Sequence, residues 1–559
     1  MELLRLKRPG ALEIGDALHR DFSVAPLRVH GLFGSDPRST DAIVRGKRRI
    51  DERWRGDRAA LARVLSDACR DRGDHPKACE AAASLAEAET TVVVAVVRPT
   101  VLGGPVQSLY KALLAVVYAR RFARLTRTRV IPLLWVLTDH NWARMGGLWL
   151  LDPRGDPLRI VLDPPVEGTP TAAAVDIDGR VHEFRARAET LAGRDQQAPF
   201  FQMAGDAVET ALDLADWFCL VYAHLLSTLG LVIADSHHPP LRRLISKGLR
   251  RYILRAPRTA AEARVLGERM SAAGYPVPFS HPEDAAGLFV EREGQRRAVR
   301  RRGSEFAVDG RDGGLEAREL LRWLETSPED FSPGAISFPT VLGLTLPILA
   351  HLCEPVESGV MVQLRSGFGL HNLDAPALLP TPNITILDGN LQEAMGLLGL
   401  NPRRPGEIDH LEAFLARRRR GVLASVDQTL DGIFTRAESE IRDAYRPVEA
   451  HLESRIPGSA TMVSRDRDAT LRRLQKVRER SERRLIRRAS REWRALRILS
   501  TTLLPAGAPQ SNLSLANFMG SEARPRVVRF LEMLAAEPHP LGSLVVLDSS
   551  QLSPRSDEP

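Results

Sequence analysis

Two fully apolar runs rich in β-branched residues, Val92 to Val97 and Val130 to Leu137, bracket a helical segment that contains Tyr110-Lys111. Runs of this kind, apolar at every position rather than at alternate ones, fit strands buried on both faces, and two such strands joined by a helix form a β-α-β unit with a parallel pairing. Each run ends in a polar or glycine-rich cluster: Leu102-Gly103-Gly104-Pro105 after the first, Thr138-Asp139-His140-Asn141 after the second. In open parallel sheets ligands bind outside the carboxyl ends of the strands, so both clusters fall where a site is expected.

The rest of the chain extends this pattern. Gly230 to Ala234 is a further buried strand closing on Asp235, and a helix starts at Pro239-Pro240, where the fixed φ of proline suits a first turn. Asp206 to Ser227 is an apolar helix, Glu316 to Glu325 and Leu391 to Leu398 are helical, and Val360 to Leu364 and Asn383 to Leu387 are short strands. Before the first strand, Ala-rich helices are expected near Ala59 to Cys69 and Ala78 to Ala88. Two hairpins interrupt the alternation. One runs from Ala174 to Phe184 and turns at Asp178-Gly179; the other runs from Leu288 to Val299 and turns near Glu293-Gly294.

From about Ile408 the periodicity changes. Val422, Val426, Leu430, Ile433, Ala437, Ile441, Tyr445, Val448, Leu452 and Ile456 recur in steps of three or four, the spacing of one helix face, with Pro447 expected to bend or break the helix. After Pro457-Gly458 a second helix spans about Arg467 to Thr501, so the two fold back as an antiparallel coiled hairpin. Residues 465–500 carry fourteen basic and five acidic side chains, a net of +9, whereas the whole chain is only +8. Residues 421–456 hold seven acidic and four basic side chains, so part of the basic helix is expected to face carboxylates across the hairpin.

Composition excludes several classes. No uncharged apolar stretch is long enough to span a bilayer and the charged N-terminus lacks a signal-peptide core, which implies a cytoplasmic protein without a membrane partner. The four cysteines, Cys69, Cys79, Cys219 and Cys353, form no C-x-x-C pair and read as free thiols rather than a disulfide framework or a zinc site. No metal site is read: His237 and His238 are adjacent and point to opposite sides of an extended chain. Arginine runs at Arg296-Arg297, Arg300 to Arg302 and Arg417 to Arg420 lack a helix-turn-helix, zinc finger or interleaved aromatics. Solvated faces account for them better than nucleic acid does.

Gly103-Gly104-Pro105, Tyr110-Lys111-Ala112 and Asp139-His140, in this order, resemble the opening motifs of the BshC family, the cysteine-adding enzymes of bacillithiol biosynthesis. The order of Leu231 to Asp235, Phe331-Ser332-Pro333 and Leu504 to Gln510 matches as well, so the likeness covers nearly the whole chain. The chain departs from the family at three places: its Gly-Gln-Gln aligns with Val96-Val97-Arg98, its Glu-Asp-His-Asp with Thr138-Asp139-His140-Asn141, and its Gly-Gly-Pro-Gly-Glu is replaced at Leu352 to Glu357.

The resemblance implies an α/β fold: a Rossmann-like parallel-sheet core with small connecting subdomains and a long antiparallel α-helical coiled-coil hairpin. The expected division places core at 1–147, 201–280 and 316–404, connecting regions at 148–200 and 281–315, the hairpin at 405–501, and at 502–559 a segment folding back on the core with its last residues disordered. It implies a ligase that joins cysteine to glucosaminyl-malate through a C–N bond, dimeric through the coiled hairpin. No cofactor is fixed by the residues, and the resemblance leaves open activation by ATP or another nucleotide. Asp139 and His140 would position or deprotonate the attacking amine; Gly103, Gly104, Pro105, Lys111 and Asn141 would hold substrate or nucleotide, and Asp235 would shape the crevice. The missing motif residues also fit an inactive, scaffold-forming paralogue, and the Arg-rich helix a contact with nucleic acid or an anionic surface.

Overall fold

The structure is a computed structural model that describes residues 4–6, 17–24, 26–33, 36, 38–138, 146–153, 155–163, 170–193, 197–279, 284–292, 295–311, 313–401, 411–426, 428–486, 491–505, 509–519, 523–536 and 544–548. The chain divides into two compact units. The larger comprises residues 1–387 and 504–559, and the second, Asp388–Leu503, is inserted between them.

The larger unit is built on five parallel strands: β1 (Thr91–Val97), β2 (Val130–Val136), β3 (Val232–Asp235), β4 (Ile348–Cys353) and β5 (Ala377–Pro380), in the spatial order β5-β4-β1-β2-β3. This is the Rossmann order, which reverses direction between β1 and β4. The strands are apolar at all but Thr91, Asp235 and His351 because both faces are covered. Val93, Ala95 and Val97 pack with the helices α1 (Val106–Thr126) and Leu214–Leu226 on one side. Val92, Val94 and Val96 pack with Arg58–Asp71 and α2 (Pro239–Ile253) on the other. The side-chain alternation of a strand thus feeds two separate cores.

A second sheet, antiparallel, is formed by Leu315–Glu316, Glu305–Val308, Gln295–Arg302, Ala285–Arg292 and Phe331–Pro333 in that order. The expected hairpin over Leu288 to Val299 lies in it, and its turn, Glu293-Gly294, is outside the described residues. The other expected hairpin, Ala174 to Phe184, is not formed. Gly179–Ala192 is a helix, because the Asp178 carboxylate accepts from Arg180 N at 2.9 Å and caps it rather than closing a two-residue turn. The hairpin of this region lies earlier, Gly147–Leu151 against Pro157–Val161.

Two further expectations are corrected for related reasons. The single helix at Asp206 to Ser227 is two, Ala198–Thr210 and Leu214–Leu226, with Asp213 capping the second through Asp216 N at 2.8 Å. Val360 to Leu364 is helical, the end of α3 (Pro355–Leu364), which a capping box between Glu354 and Glu357 starts; a short apolar run does not by its period tell strand from buried helix.

In the second unit the long helices Gln428–Arg455 and Ala460–Ile486 form a helical hairpin, and Gly389–Leu397 and Leu411–Val426 pack on Arg491–Leu503. The first long helix runs through Pro447 as one element. Charges pair across the hairpin as the composition requires: Arg467 with Glu449 at 3.3 Å, and Arg478 with Asp431 and Glu438. Phe434 and Val463 are buried, whereas Ile433, Val448 and Val477 are about half exposed, so the buried stripe is narrower than the apolar one.

Candidate functional site

β1 and β2 are adjacent and in register to their last residues, and Leu137 N donates to the Val97 carbonyl at 2.8 Å. The loop after β1 and the segment after β2 therefore leave the sheet side by side. In the first loop Leu102, Gly103 and Gly104 all have positive φ, of 53°, 71° and 78°. A Cβ on Gly104 would lie 3.2 Å from Thr100 Cβ, and one on Gly103 3.0 Å from Val221 Cγ1. The close approach that these glycines permit is to the chain itself. Leu515 N donates to the Gly104 carbonyl at 3.0 Å, Tyr222 Oη to the Gly103 carbonyl at 3.2 Å, and Val106 N, the first donor of α1, to the Leu513 carbonyl at 2.9 Å.

Lys111, in the second turn of α1, is 1% exposed. Its ammonium donates to Glu357 at 2.6 Å and lies 3.5 Å from Glu354, both carboxylates being about a quarter exposed at the start of α3. Burial opposes the charge on Lys111, yet the two carboxylates hold its pKa above the ordinary lysine range. Burial would likewise raise Glu357, but Lys111 holds it below its usual value, while burial and then the Glu357 charge leave Glu354 raised despite Lys111. This ion-paired cluster sits beside the point where the strand order reverses, between β1 and β4. His351 beneath it is buried and pushed down to about 4.

A second network occupies the carboxyl ends of β2 and β3. The Asp235 carboxylate accepts from Thr138 Oγ1 and, at 2.8 Å, from His237 N; Thr138 N donates to Ser236 Oγ at 3.0 Å. Thr138 Oγ1 also accepts from His237 N at 3.0 Å, so the residue directly before Asp139 is fixed by Asp235 at the end of β3 and by the two residues that follow it. His237 continues the chain of contacts. Arg242, 1% exposed on α2, lies 2.9 Å from His237 Nδ1 and 3.5 Å from Glu291, and Thr171 Oγ1 donates to the other oxygen of Glu291 at 2.7 Å. Behind β3, burial together with Asp235 and Asp216 raises Asp213 to about 7.

Of the residues expected to form a site, Lys111 pairs with the carboxylates at the start of α3, Gly103, Gly104 and Pro105 pack on Leu214–Leu226 and the 513–515 segment, and Asp235 holds Thr138 at the ends of β2 and β3. Asp139, His140 and Asn141 lie outside the described residues. Arg242 and Glu291 were not legible as site residues: one lies inside an ordinary amphipathic helix, the other on a strand of the antiparallel sheet, and only the fold brings them to His237. Of the four cysteines, Cys69, Cys219 and Cys353 are buried, and burial pushes each thiol up, which suits unreactive packing groups.

A family model described as "Bacillithiol biosynthesis BshC, N-terminal Rossmann-like domain" matches residues 7–382. Among curated relatives, each named "Putative cysteine ligase BshC", a Natranaerobius thermophilus protein is 22% identical over 334 residues, 59% of this chain and 61% of its own length. The chain thus spans less than two thirds of that relative. A Bacillus cereus protein is 21% identical over 77% of this chain and 80% of its own, and a Geobacillus kaustophilus protein 24% over 82% and 84%.

Proposed function

The chain belongs to the BshC family of bacillithiol biosynthesis, and from that premise we propose that it is a cysteine ligase, forming a C–N bond between cysteine and glucosaminyl-malate. The observation that supports this reading is the fixing of Thr138, the residue before Asp139 in sequence, by Asp235 and Ser236 at the carboxyl ends of β2 and β3, where a parallel sheet binds its ligands. In this reading His140, with Asp139 beside it, takes the proton of the attacking amine, and Asn141 contacts substrate. Asp235 acts through Thr138 as a positioning residue. Gly103, Gly104 and Pro105 form a wall of the crevice, and Lys111 holds Glu354 and Glu357 in place rather than a ligand anion. Small-molecule substrates of the bacillithiol pathway are the partners this requires, and ATP or another nucleotide would supply activation of the cysteine carboxyl. We further propose a homodimer formed through the helical hairpin.

The test is incubation of the purified protein with cysteine and glucosaminyl-malate, with and without ATP, and detection of the joined product by mass. Product is expected from the wild type and abolished in His140→Ala. In Asp235→Asn kcat falls by about tenfold to a hundredfold with KM little changed, since a carboxylate that orients a catalytic segment acts mainly in the transition state.

One observation favours a second reading, a non-catalytic paralogue: the backbone of the glycine loop and the Lys111 charge are both satisfied within the chain. Absence of product with any nucleoside triphosphate, from protein that is folded, would select it.

A further inference from the structure

At the other edge of the parallel sheet, one strand length of roughly 17 Å from the carboxyl ends, a cleft of about 410 Å³ opens below the first residues of β4 and β5. Its floor is apolar, with Phe33, Ile43, Ile348 and Leu349, and Arg45, Arg49 and Arg365 stand around it. Asp36 and Asp374 also line it, and both are already engaged. Asp374 is held by Arg49 and Arg53, both at 3.2 Å, and Asp36 by Arg38 at 2.9 Å. Half-buried Arg365 donates to the Leu32 carbonyl and, among the described residues, has no carboxylate within ion-pair distance. Burial and then the like charge of Arg269 both work against its cation. An arginine keeps its proton under such conditions, so the cleft carries surplus positive charge over an apolar floor, and a partly desolvated cation without a counter-charge is unfavourable.

We propose that this cleft binds a phosphate-bearing small molecule, its oxyanions held by Arg45, Arg49 and Arg365 and its apolar part resting on Phe33, Ile43 and Leu349. Guanidinium forks match phosphate oxygens, and the volume is that of a small-metabolite pocket. The site is separate from the strand carboxyl ends and does not depend on the ligase reading.

The experiment is calorimetric titration of the full-length protein at low salt with inorganic pyrophosphate, and with succinate as a carboxylate control. Saturable binding of pyrophosphate is expected, weakened about tenfold or more in Arg365→Gln by loss of a charge-assisted contact, less in Arg365→Lys, and unchanged in Arg302→Gln on the exposed end of the antiparallel sheet. Pyrophosphate should raise the melting temperature of the wild type more than that of Arg365→Gln, each measured against its own unliganded protein. No saturation by about 5 mM pyrophosphate, equal affinity in Arg365→Gln, or saturation by succinate alone would each overturn the proposal.

Discussion

Lys111 shows how one buried charge governs its neighbours. With its ammonium in place, Glu354 and Glu357 can both remain at the foot of α3; without it two carboxylates share a partly desolvated site. Lys111→Met is therefore expected to cost about 3–5 kcal/mol in urea unfolding, the range for removing one partner of a buried pair. Adding Glu357→Leu should recover part of that loss, and a double variant less stable than the single one would contradict the assignment. Asp213 gives a pH signature of opposite origin. Its folded pKa of about 7 lies above the unfolded value of 3.8, so the folded state holds a proton that the unfolded state releases between these limits. Its contribution therefore favours folding at low pH and is lost as pH rises toward 7. Asp213→Asn keeps the helix cap, and its stability relative to wild type should rise by about 2 kcal/mol between pH 4 and pH 7, below the full conversion of the shift because the group is partly exposed. A stability difference independent of pH would refute it. His351 works the other way: with a folded pKa of about 4 against 6.5 unfolded, its contribution is complete above 6.5 and lost as pH falls toward 4.

At the scale of elements, the glycine loop is decided by backbone geometry. Gly104→Ala meets Thr100 at a φ of 78°, and should destabilise the protein by about 1–3 kcal/mol in denaturant unfolding; a change within experimental error would mean that the loop yields. Elements whose signal is local were legible in the sequence. The strands β1, β2 and β3 follow from their unbroken apolar runs, and the facing helices Gln428–Arg455 and Ala460–Ile486 with their opposing charges from periodicity and composition, whereas the one helix expected over about Arg467 to Thr501 falls in two elements, Ala460–Ile486 and Arg491–Leu503. What was not legible depends on choices made elsewhere in the chain. Asp178-Gly179 suits a tight turn and a helix start equally well, and only the cap to Arg180 N selects the helix. Val360 to Leu364 suits strand or helix until Glu354 and Glu357 nucleate one. The candidate site divides in the same way. Asp235 is legible because a carboxylate at the end of an apolar run has few structural reasons to be there, whereas Glu291 reaches Arg242 and His237 only because the antiparallel sheet packs against α2.

For the whole molecule, the controlling fact is that the larger unit is discontinuous in sequence: residues 504–559 return to it after the inserted helical unit. Their contacts are with parts of the unit that are otherwise incomplete. Leu544–Asp548 lies between Leu4–Leu6 and Asn383–Leu387 in a three-stranded sheet, and Leu513 and Leu515 hold the glycine loop and the first N–H of α1. Gln510, 2% exposed, spans the Ile386 peptide: its Oε1 accepts from Ile386 N at 2.7 Å and its Nε2 donates to the Ile386 carbonyl at 2.9 Å. No other side chain among the described residues offers that pair, so Gln510→Ala leaves a buried donor and a buried acceptor unmet. It should cost about 2–4 kcal/mol in urea unfolding, the penalty of two such groups partly relieved by water. Truncation after Leu503 removes all of these contacts together and opens the loop after β1. The truncated chain is expected to keep most of its far-ultraviolet circular dichroism, because the helical insertion and the five-stranded sheet are built from residues before the cut, while losing near-ultraviolet signal and gaining dye binding as packing around α1 loosens. Near-ultraviolet spectra and urea midpoints equal to those of the intact chain would show that the core closes without its returning segment, and the dependence of the β1 loop on Leu513–Leu515 would fall with that result.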